Sequence, residues 1–363
     1  MNYTNWGKKY EELKPLYEDL TKRLRYLLED ICKRKEIKAL FESRTKDVES
    51  FVKKISKENK SYINPLDEIT DFSGVRIILF SLSDVDRVVD LIANEFTVDD
   101  KRSVNKLDQL DPDRFGYLSQ HYIVKTHENR KNLSEWSSVN ELWAEIQVRT
   151  TLQHAWATVE HLSVYKNEKD VPKKLRRRFS RLSALFELAD EELDSLLKER
   201  SDQINEYETE LIQDSKEIEI NVDSLKTYII YSEEYNKWIQ FLRKDVGIKV
   251  DEINYIDNDW GTLSRDVKFA QFFKINTINE IDRILKDAHG WGEKFLFDYY
   301  ENHAEKLKVN KNNISLVRNG VITLFMIASN AKKITPEILD CEFGFGGAES
   351  LLYFAKHSQN QIR

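Results

Sequence analysis

The sequence predicts an α+β fold in which a mixed or antiparallel β-sheet is flanked by helices and followed by a mainly helical C-terminal part. Three stretches, residues 74–80, 118–125 and 142–148, are rich in branched and aromatic residues over strand-like lengths. Residues 84–96 lie between the first two and repeat apolar residues at helical spacing. A helical stretch follows the third strand, so the order strand, helix, strands, helix describes an α+β unit.

Long helices are predicted on both sides of this unit. Residues 8–40 predict an amphipathic N-terminal helix, and residues 47–56 predict a shorter second one. Pro172 stands at a natural helix start, and the apolar residues behind it recur in steps of four and three. The repeat consists of Leu175, Phe179, Leu182, Phe186, Ala189, Leu193 and Leu196. This heptad seam is expected to pack within the chain, or else against a second copy of the chain.

From about residue 220 the chain becomes a series of aromatic-rich helical stretches. They cover residues 228–242, 278–289, 293–306 and 314–331. A chain of 363 residues exceeds the size at which one core usually stops growing. We therefore predict two domains, residues 1–215 and 220–363, and we expect the second to have a regulatory or oligomerisation role.

Composition excludes several classes of protein. Cys32 and Cys341 are the only cysteines, so neither a disulfide framework nor a four-cysteine zinc site is available. The net charge of -7 argues against wholesale coating of nucleic acid, although a local basic patch remains compatible with RNA binding. Met1–Tyr10 lacks an apolar signal core, and the longest apolar run, Val321–Ala328, is less than half of a membrane span. A cytoplasmic protein without membrane contact is expected.

Three polar motifs stand at the edges of the predicted strands, and a fourth stands at the start of a predicted helix. Asp71–Arg76 heads the first strand, Gly116–His121 heads the second, and Glu145–Thr150 ends the third. Ser43–Lys54 is a basic segment that opens into the second helix. Two acids on neighbouring strands are suited to hold a divalent metal beside phosphate groups, and Lys and Arg at a helix entrance suit a triphosphate. Taken one at a time, these segments would be ordinary strand ends and a solvated helix face.

In this order the motifs resemble the synthetase domain of the RelA/SpoT alarmone family, over roughly residues 40–166. The chain resembles the small members of this family, which are either synthetase-only or toxic, and it has an additional C-terminal domain. It implies a nucleotidyltransferase-like domain that transfers pyrophosphate from ATP to the ribose 3'-hydroxyl of GDP or GTP, giving (p)ppGpp and AMP. It also implies Mg²⁺, with Mn²⁺ as a substitute. The hydrolase domain of long members is not expected, because no His-Asp metal pair precedes the motifs.

The resemblance also implies residue roles, motif by motif. Asp71 is implied to ligate the metal, and Glu145 to share it and to act on the acceptor 3'-hydroxyl. The implied ATP-binding residues are Arg44, Lys46, Ser50, Lys54 and Arg76, and the implied acceptor-binding residues are Tyr117, His121, Gln147 and Arg149. Within these sets the two arginines of the donor side would sandwich adenine through their planar guanidinium groups. Tyr117 would stack on the acceptor base, and His121 would reach toward the acceptor phosphates.

The segment that leads into the second strand motif departs from the family pattern. Most members have a Lys and an Asn there that help to hold the 5'-phosphates of guanosine nucleotides, whereas this chain has Asp113 and Phe115. Arg114, Lys106 and Arg102 are candidate replacements. The acceptor is therefore open between GDP or GTP, ATP, and the 3' end of tRNA, which some toxic small members modify.

Two further questions stay open at this point. The C-terminal domain is either a regulatory or oligomerisation module, or a fused inhibitor that holds the enzyme off in a phage-defence or toxin–antitoxin role. An inactive module that senses nucleotides is the alternative of a different class, although the intact Asp71 and Glu145 count against it.

Three other features carry weaker signals. His154 and His161 are seven residues apart, share a helix face, and are expected to orient the strand of Glu145 rather than to bind zinc. Gly344–Gly347 faintly resembles a nucleotide-binding loop and is interpreted as a tight turn. A basic cluster either binds a nucleic-acid backbone or an allosteric nucleotide, or is the solvated face of the heptad helix. The cluster consists of Lys173, Lys174, Arg176, Arg177, Arg178 and Arg181.

Overall fold

The computed structural model describes residues 3–57, 61–105, 119–163, 172–212, 217–251, 260–343 and 347–361. The chain divides into two compact units, Met1–Lys198 and Glu199–Arg363. None of the helices in the described ranges is both long enough and apolar enough to cross a membrane.

The first unit is built on a mixed six-stranded sheet, as the sequence predicts. Its helices are α1 Tyr3–Arg34, α2 Val48–Ile55, α3 Pro65–Glu68, α4 Leu82–Glu95, α5 Thr151–Ser163 and α6 Lys173–Ile212, the last of which continues into the second unit. Its strands are β1 Ala39–Thr45, β2 Ser73–Leu79, β3 Phe96–Val98, β4 Val104–Asn105, β5 Gln120–Thr126 and β6 Ala144–Thr150. The strand order is β1-β2-β6-β5-β3, with β4 paired to β5, and only β2 and β6 run parallel.

The two central strands have one apolar face and one polar face. Val75 and Ile77 on β2, with Ile146 and Val148 on β6, are fully buried in the core of this unit. Successive side chains of a strand point to opposite faces, so the residues between them are turned to the other side of the sheet. The polar motif residues therefore share one face because the apolar residues that alternate with them are in the core.

A cluster of aromatic rings fixes α1 and α2 beside the start of β2. The Tyr10 ring lies 4.6 Å from Phe72 and 5.0 Å from Phe51, between ring centroids. All three rings are fully buried. The Tyr10 hydroxyl donates to the Lys46 carbonyl at 2.6 Å, and the Lys46 amide donates to the Phe72 carbonyl at 2.8 Å. The basic segment is thus held against the residue that follows Asp71.

The structure differs from the predicted elements where the sheet begins. Helix α1 ends at Arg34 rather than at residue 40, and residues 39–45 form β1, which includes Ser43–Thr45 at the start of the basic segment. This strand pairs with β2 alone and lies at the edge of the sheet. An edge strand with one solvated face carries few apolar residues, so β1 lacks the composition by which the other strands were recognised.

The residues of the predicted heptad seam lie on one long helix, α6, but only some of them pack against the rest of the first unit. Phe179 and Phe186 pack edge-on against Trp156 of α5, with ring centroids 5.8 and 6.0 Å apart. Leu175 and Leu196, by contrast, are 42% and 53% exposed. Consecutive members of a heptad repeat lie about 40–60° apart around a helix and so form two rows, and a contact on one side can cover one row and leave the other in solvent.

The second unit is mainly helical, as predicted. Its helices are α7 Val222–Tyr231, α8 Glu233–Phe241, α9 Trp260–Phe272, α10 Ile278–Asp287, α11 Gly292–Leu307, α12 Gly320–Ser329, α13 Pro336–Phe343 and α14 Ala348–Asn360. The stretch predicted as one helix over 228–242 is divided at Ser232, whose hydroxyl accepts from the Tyr235 amide and caps α8. Two strands, β7 Lys249–Asp251 and β8 Ser315–Val317, pair in parallel; strands of three residues leave too little pattern to predict.

Candidate active site

A cleft of about 250 Å³ opens on the polar face of the sheet, over β1, β2 and β6. It is lined by Glu42, Ser43, Arg44, Asp71, Gly74, Val75, Arg76, Glu145 and Gln147. Strand register brings these residues together in two rows. Arg44, Gly74 and Glu145 are direct neighbours across three strands, and Glu42, Arg76 and Gln147 form the next row. Five residues predicted from three separate motifs therefore line one cleft.

Asp71 is held by two lysines at one side of the cleft. Its carboxylate accepts from Lys46 Nζ at 2.7 Å and from Lys54 Nζ at 3.0 Å. Burial of this carboxylate acts to raise its pKa, but the hydrogen bonds and charges of the two lysines outweigh burial and hold the pKa below its usual value. Asp71 is therefore ionised at neutral pH and stands in a cationic pocket.

The lysines reach Asp71 because β1 leads directly into α2. Asp47 caps this helix by accepting from the Ser50 amide, which places Lys54 about two turns further along the helix. Of the predicted donor-side residues, Lys46 and Ser50 thus lie at the transition from strand to helix, and Lys54 lies in the last turn of α2. Within this set, the two lysines are the ones that touch an acid of the cleft.

Glu145 is oriented by two neighbours on its own face of the sheet. His121 Nδ1 donates to Glu145 Oε1 at 2.8 Å, and Gln147 Nε2 donates to Glu145 Oε2 at 2.9 Å. The second ring nitrogen of His121 lies 2.6 Å from Ser119 Oγ, so both nitrogens of the ring have a hydrogen-bond partner. Burial acts to raise the pKa of Glu145, and the charge of Asp71 adds to this, yet His121 and Gln147 together lower the pKa below its usual value.

Gln147 connects the acid to two arginines. Its side-chain oxygen accepts from Arg76 Nε at 3.2 Å and from Arg149 Nη2 at 3.2 Å. Arg149 is only 5% exposed, and its Nε has no partner among the described residues. Arg76 also forms an ion pair with Glu42 on β1. This network of side chains runs across the floor of the cleft and fixes the orientation of Glu145.

Sequence reasoning missed Glu42. Its carboxylate contacts Arg76, and its other oxygen lies 4.0 Å from His154 Nε2 on α5. No motif signals this residue, because an acid on an edge strand is an ordinary solvated side chain. The same contact places His154 beside β1, whereas it was expected to orient the strand of Glu145. Gln153 is the residue of α5 that fixes the end of that strand, since its side-chain oxygen accepts from the Thr150 amide at 2.9 Å.

Several predicted residues lie outside the described ranges. They are Tyr117 and four residues of the segment before it, namely Lys106, Asp113, Arg114 and Phe115. The side chain of His161 and most of Gly344–Gly347 lie outside these ranges as well. Of the three candidate phosphate-binding cations, Arg102 is described. Its Nε donates to Asp99 at 2.6 Å, and its guanidinium lies 4.3 Å from the centroid of the Trp143 ring. Arg102 is therefore engaged by Asp99 in its own loop and by Trp143, which directly precedes β6.

Most residues that line the cleft lie in a part of the chain that matches a known protein family. Residues 43–170 match the model of the region found in RelA / SpoT proteins. The chain is 33% identical over 145 residues to GTP pyrophosphokinase YwaC of Bacillus subtilis, a match that covers 40% of this chain and 62% of that protein. It is 28% identical over 136 residues to GTP pyrophosphokinase YjbM of the same organism, covering 37% of this chain and 60% of that protein. The chain thus spans less than two thirds of the length of these curated relatives.

Among solved structures, the small alarmone synthetase 1 from Bacillus subtilis is 25% identical to this chain. The superposition covers 54% of this chain and 99% of that one, with a TM-score of 0.43. The family match begins within β1 and contains the motifs of Asp71, Tyr117 and Glu145. Residues 43–170 of this chain are accordingly a domain of the RelA/SpoT family.

Proposed function

We propose that this chain is a pyrophosphotransferase that moves the β,γ-pyrophosphoryl group of ATP to the 3'-hydroxyl of GDP or GTP, yielding (p)ppGpp and AMP. The observation that carries the proposal is the pairing of Asp71 and Glu145 in one cleft, with Lys46 and Lys54 on the side of Asp71. The names of two relatives, both GTP pyrophosphokinases, support the same reaction.

The two carboxylates fit a magnesium ion that arrives with its nucleotide. Mg²⁺ is usually bound through one or two carboxylates together with phosphate oxygens and water, and Mn²⁺ accepts the same oxygen donors. Asp71 and Glu145 supply that number of acids, and their lowered pKa values keep both ionised at neutral pH. No group of three His, Cys, Asp or Glu residues in the described ranges would hold a metal without a nucleotide. When bound, the metal would neutralise charge on the transferred group.

The donor side of the cleft is cationic. Lys46 and Lys54 already offset one carboxylate, and their ammonium groups are within reach of phosphates that would lie beside Asp71. Arg44 and Arg76 line the same cleft, and planar guanidinium groups are suited to stack on adenine. The hydroxyl of Ser50, at the start of α2, would complete the contacts to the triphosphate.

Glu145 is the group that would act on the acceptor. Held by His121 and Gln147, its carboxylate would take the proton of the acceptor 3'-hydroxyl as that oxygen attacks the β-phosphorus of ATP. The bond between the β-phosphorus and the α,β-bridging oxygen breaks, and AMP leaves with the electron pair. Tyr117 would stack on the acceptor base, and Arg149 would contribute positive charge near Gln147.

The test is transfer of label from γ-phosphate-labelled ATP to GDP, GTP, ATP or bulk tRNA, resolved by chromatography. Glu145→Gln should abolish transfer, whereas Glu141→Gln, an exposed acid just before the same strand, should leave transfer unchanged. Chelation of divalent metal should also stop the reaction. If neither the full chain nor its first unit transfers label to any acceptor while nucleotides still bind, the protein is a nucleotide-sensing module instead.

Transfer to the 3' end of tRNA, or to an adenosine nucleotide, is the second candidate. It is favoured by the engagement of Arg102 with Asp99 and Trp143, which removes one of the cations proposed to replace the missing 5'-phosphate contacts. An acceptor that is recognised without a 5'-phosphate grip would not need that cation. Label recovered on tRNA rather than on guanosine nucleotides would establish this alternative and support a toxin–antitoxin or phage-defence role.

A chain shortened after Ile212, at the end of α6, separates the two roles proposed for the second unit. If that unit inhibits the first, the shortened chain transfers label faster than the full chain or becomes toxic to cells that express it. If the unit serves oligomerisation or structure, the shortened chain changes its association state or loses solubility without a gain in activity.

A further inference from the structure

Glu42 lines the cleft, yet the proposed reaction gives it no task. It lies on β1 directly opposite Arg76 of β2, and its side chain is 51% exposed. One carboxylate oxygen, Oε2, accepts from Arg76 Nη1. The other oxygen, Oε1, is 4.0 Å from His154 Nε2, which is beyond hydrogen-bond distance. Glu42 therefore offers Oε1 as an acceptor to a molecule that enters the cleft.

The guanidinium group of Arg76 is held on two edges. Its Nη1 donates to Glu42, and its Nε donates to the side-chain oxygen of Gln147 at 3.2 Å. These N–H groups lie in the plane of the guanidinium, so both contacts fix that plane and neither of them uses its faces. Arg76 is thus oriented for stacking before a nucleotide arrives.

The strand register leaves space for a flat ring beside Glu42. Arg44 pairs with Gly74, so Arg44 and Arg76 are diagonal neighbours on β1 and β2. Diagonal neighbours of an antiparallel pair are about 7–8 Å apart, a separation that accommodates one flat ring between two planar groups. Gly74 has no side chain to fill this space. A base between the two arginines would have the Glu42 carboxylate at its edge, because Glu42 is opposite Arg76 and two residues from Arg44.

The carboxylate of Glu42 can distinguish bases, whereas the two arginines cannot. Stacking tolerates every base, because each has a π-face. A carboxylate that pairs with an arginine offers only acceptor atoms, so it binds an edge that carries N–H donors. Adenine presents an amino group at C6, whereas guanine presents an oxygen at that position. In the same pose, guanine would turn lone pairs toward the carboxylate.

We propose that Glu42 selects the base of the donor nucleotide. Its Oε1 accepts from the 6-amino group of an adenine held between Arg44 and Arg76, and it rejects a purine that has an oxygen at C6. This role rests on the proposed function, because it places the donor nucleotide in the cleft. The competing role for Glu42 is to orient Arg76 alone, and that role would support every stacked base equally.

The experiment measures displacement of labelled α,β-methylene ATP from the full chain, with Mg²⁺ present and no acceptor added. The competitors are ATP, ITP and purine riboside triphosphate, which differs from ATP only by lacking the amino group. The wild type should bind ATP at least about tenfold more tightly than the purine riboside nucleotide, because one hydrogen bond to a charged group is lost. It should bind ITP more weakly still.

Two substitutions of Glu42 test its role in the choice of base. Glu42→Ala should bind ATP and purine riboside triphosphate within about twofold of each other, since the acceptor for the amino group is gone. The amide of Glu42→Gln can donate to an oxygen at C6, so this variant should bind ITP better, relative to ATP, than the wild type does. Glu12→Ala is the matched control: Glu12 is exposed on α1, and its removal should leave every ratio unchanged. Circular dichroism should show equal helicity for all variants.

Equal affinity of the wild type for ATP and purine riboside triphosphate overturns the proposal. It is also overturned if Glu42→Ala weakens all three nucleotides by the same factor, because Glu42 then only orients Arg76. Failure of the proposed function gives different results. If labelled α,β-methylene ATP does not bind the wild type, the cleft is not a donor site and both proposals fall. If base selection is found but no label is transferred to any acceptor, the reaction is wrong and the role of Glu42 stands.

Discussion

Gln147 is predicted to hold the cleft together, and its replacement by Leu should destabilise the first unit. The side chain donates to Glu145 at 2.9 Å and accepts from Arg76 and Arg149 at 3.2 Å each. Arg149 is 5% exposed, so its guanidinium could not turn to bulk water when the Gln147 oxygen is removed. Arg76 keeps its contact with Glu42 and would lose less.

The expected magnitude follows from the two buried charges that lose a partner. A hydrogen bond to a charged group contributes roughly 1.5–3 kcal/mol, and a buried donor left without a partner costs about as much. Counting Arg149 fully and Glu145 in part, Gln147→Leu should reduce the free energy of unfolding of the first unit by about 3 kcal/mol. This corresponds to a loss of roughly a hundredfold in the folding equilibrium.

Hydrogen exchange followed by mass spectrometry is the suitable assay, because it reports on the two units separately. Peptides from β2 and β6 should lose protection by about two orders of magnitude, whereas peptides from α12 in the second unit should not change. Gln147→Glu is the matched variant: it keeps the oxygens that face both arginines, loses the donor to Glu145, and adds a like charge beside it. It should cost less stability and raise the pKa of Glu145. Unchanged protection in Gln147→Leu would refute the assigned role of the network.

Three further predictions concern ionisable groups. Lys46→Met removes one of the two cations on Asp71, so the KM for ATP should rise and the kcat should fall by about two orders of magnitude. Lys53→Met, at an exposed position on α2, should have neither effect, and equal kinetics for the two variants would contradict the assignment. The lowered pKa of Glu145 contributes stability that is present above its unfolded pKa of about 4.3 and is lost as the pH falls through the lower folded value. The difference in stability between the wild type and Glu145→Gln should therefore shrink in acid titrations that are followed by circular dichroism. Burial raises the pKa of Asp266 to about 6, so the second unit should lose stability as the pH rises through that value. The melting temperature of Asp266→Asn in thermal denaturation should therefore depend less on pH over this range than that of the wild type.

Asp266 is of interest because it is a buried acid far in sequence from the motifs. It accepts from the Asn319 side chain at 2.5 Å and from the Thr323 hydroxyl, and all three residues are fully or almost fully buried. These neutral donors compensate burial in part, which is why the pKa stays above its usual value. The group therefore links α9 to α12 in a way that depends on pH.

Many of the residues that line the cleft were predictable from the sequence. Asp71, Glu145 and the lysines of the basic segment stand in short motifs whose residue types already suit a metal and a triphosphate. The strands β2, β5 and β6 were also predictable, because strands in a core are rich in branched and aromatic residues and alternate with polar ones. These signals are local: each depends on a few neighbouring residues.

The tertiary structure alone decided which side chains meet. The parallel pairing of β2 with β6 places Arg76 beside Gln147, and the edge strand β1 brings Glu42 to Arg76; neither contact follows from spacing along the chain. The heptad repeat of α6 likewise determined a long helix but not the face on which it packs. A repeat fixes only the angles between residues of one helix, whereas the partner of each face depends on segments distant in sequence, such as the one that carries Trp156.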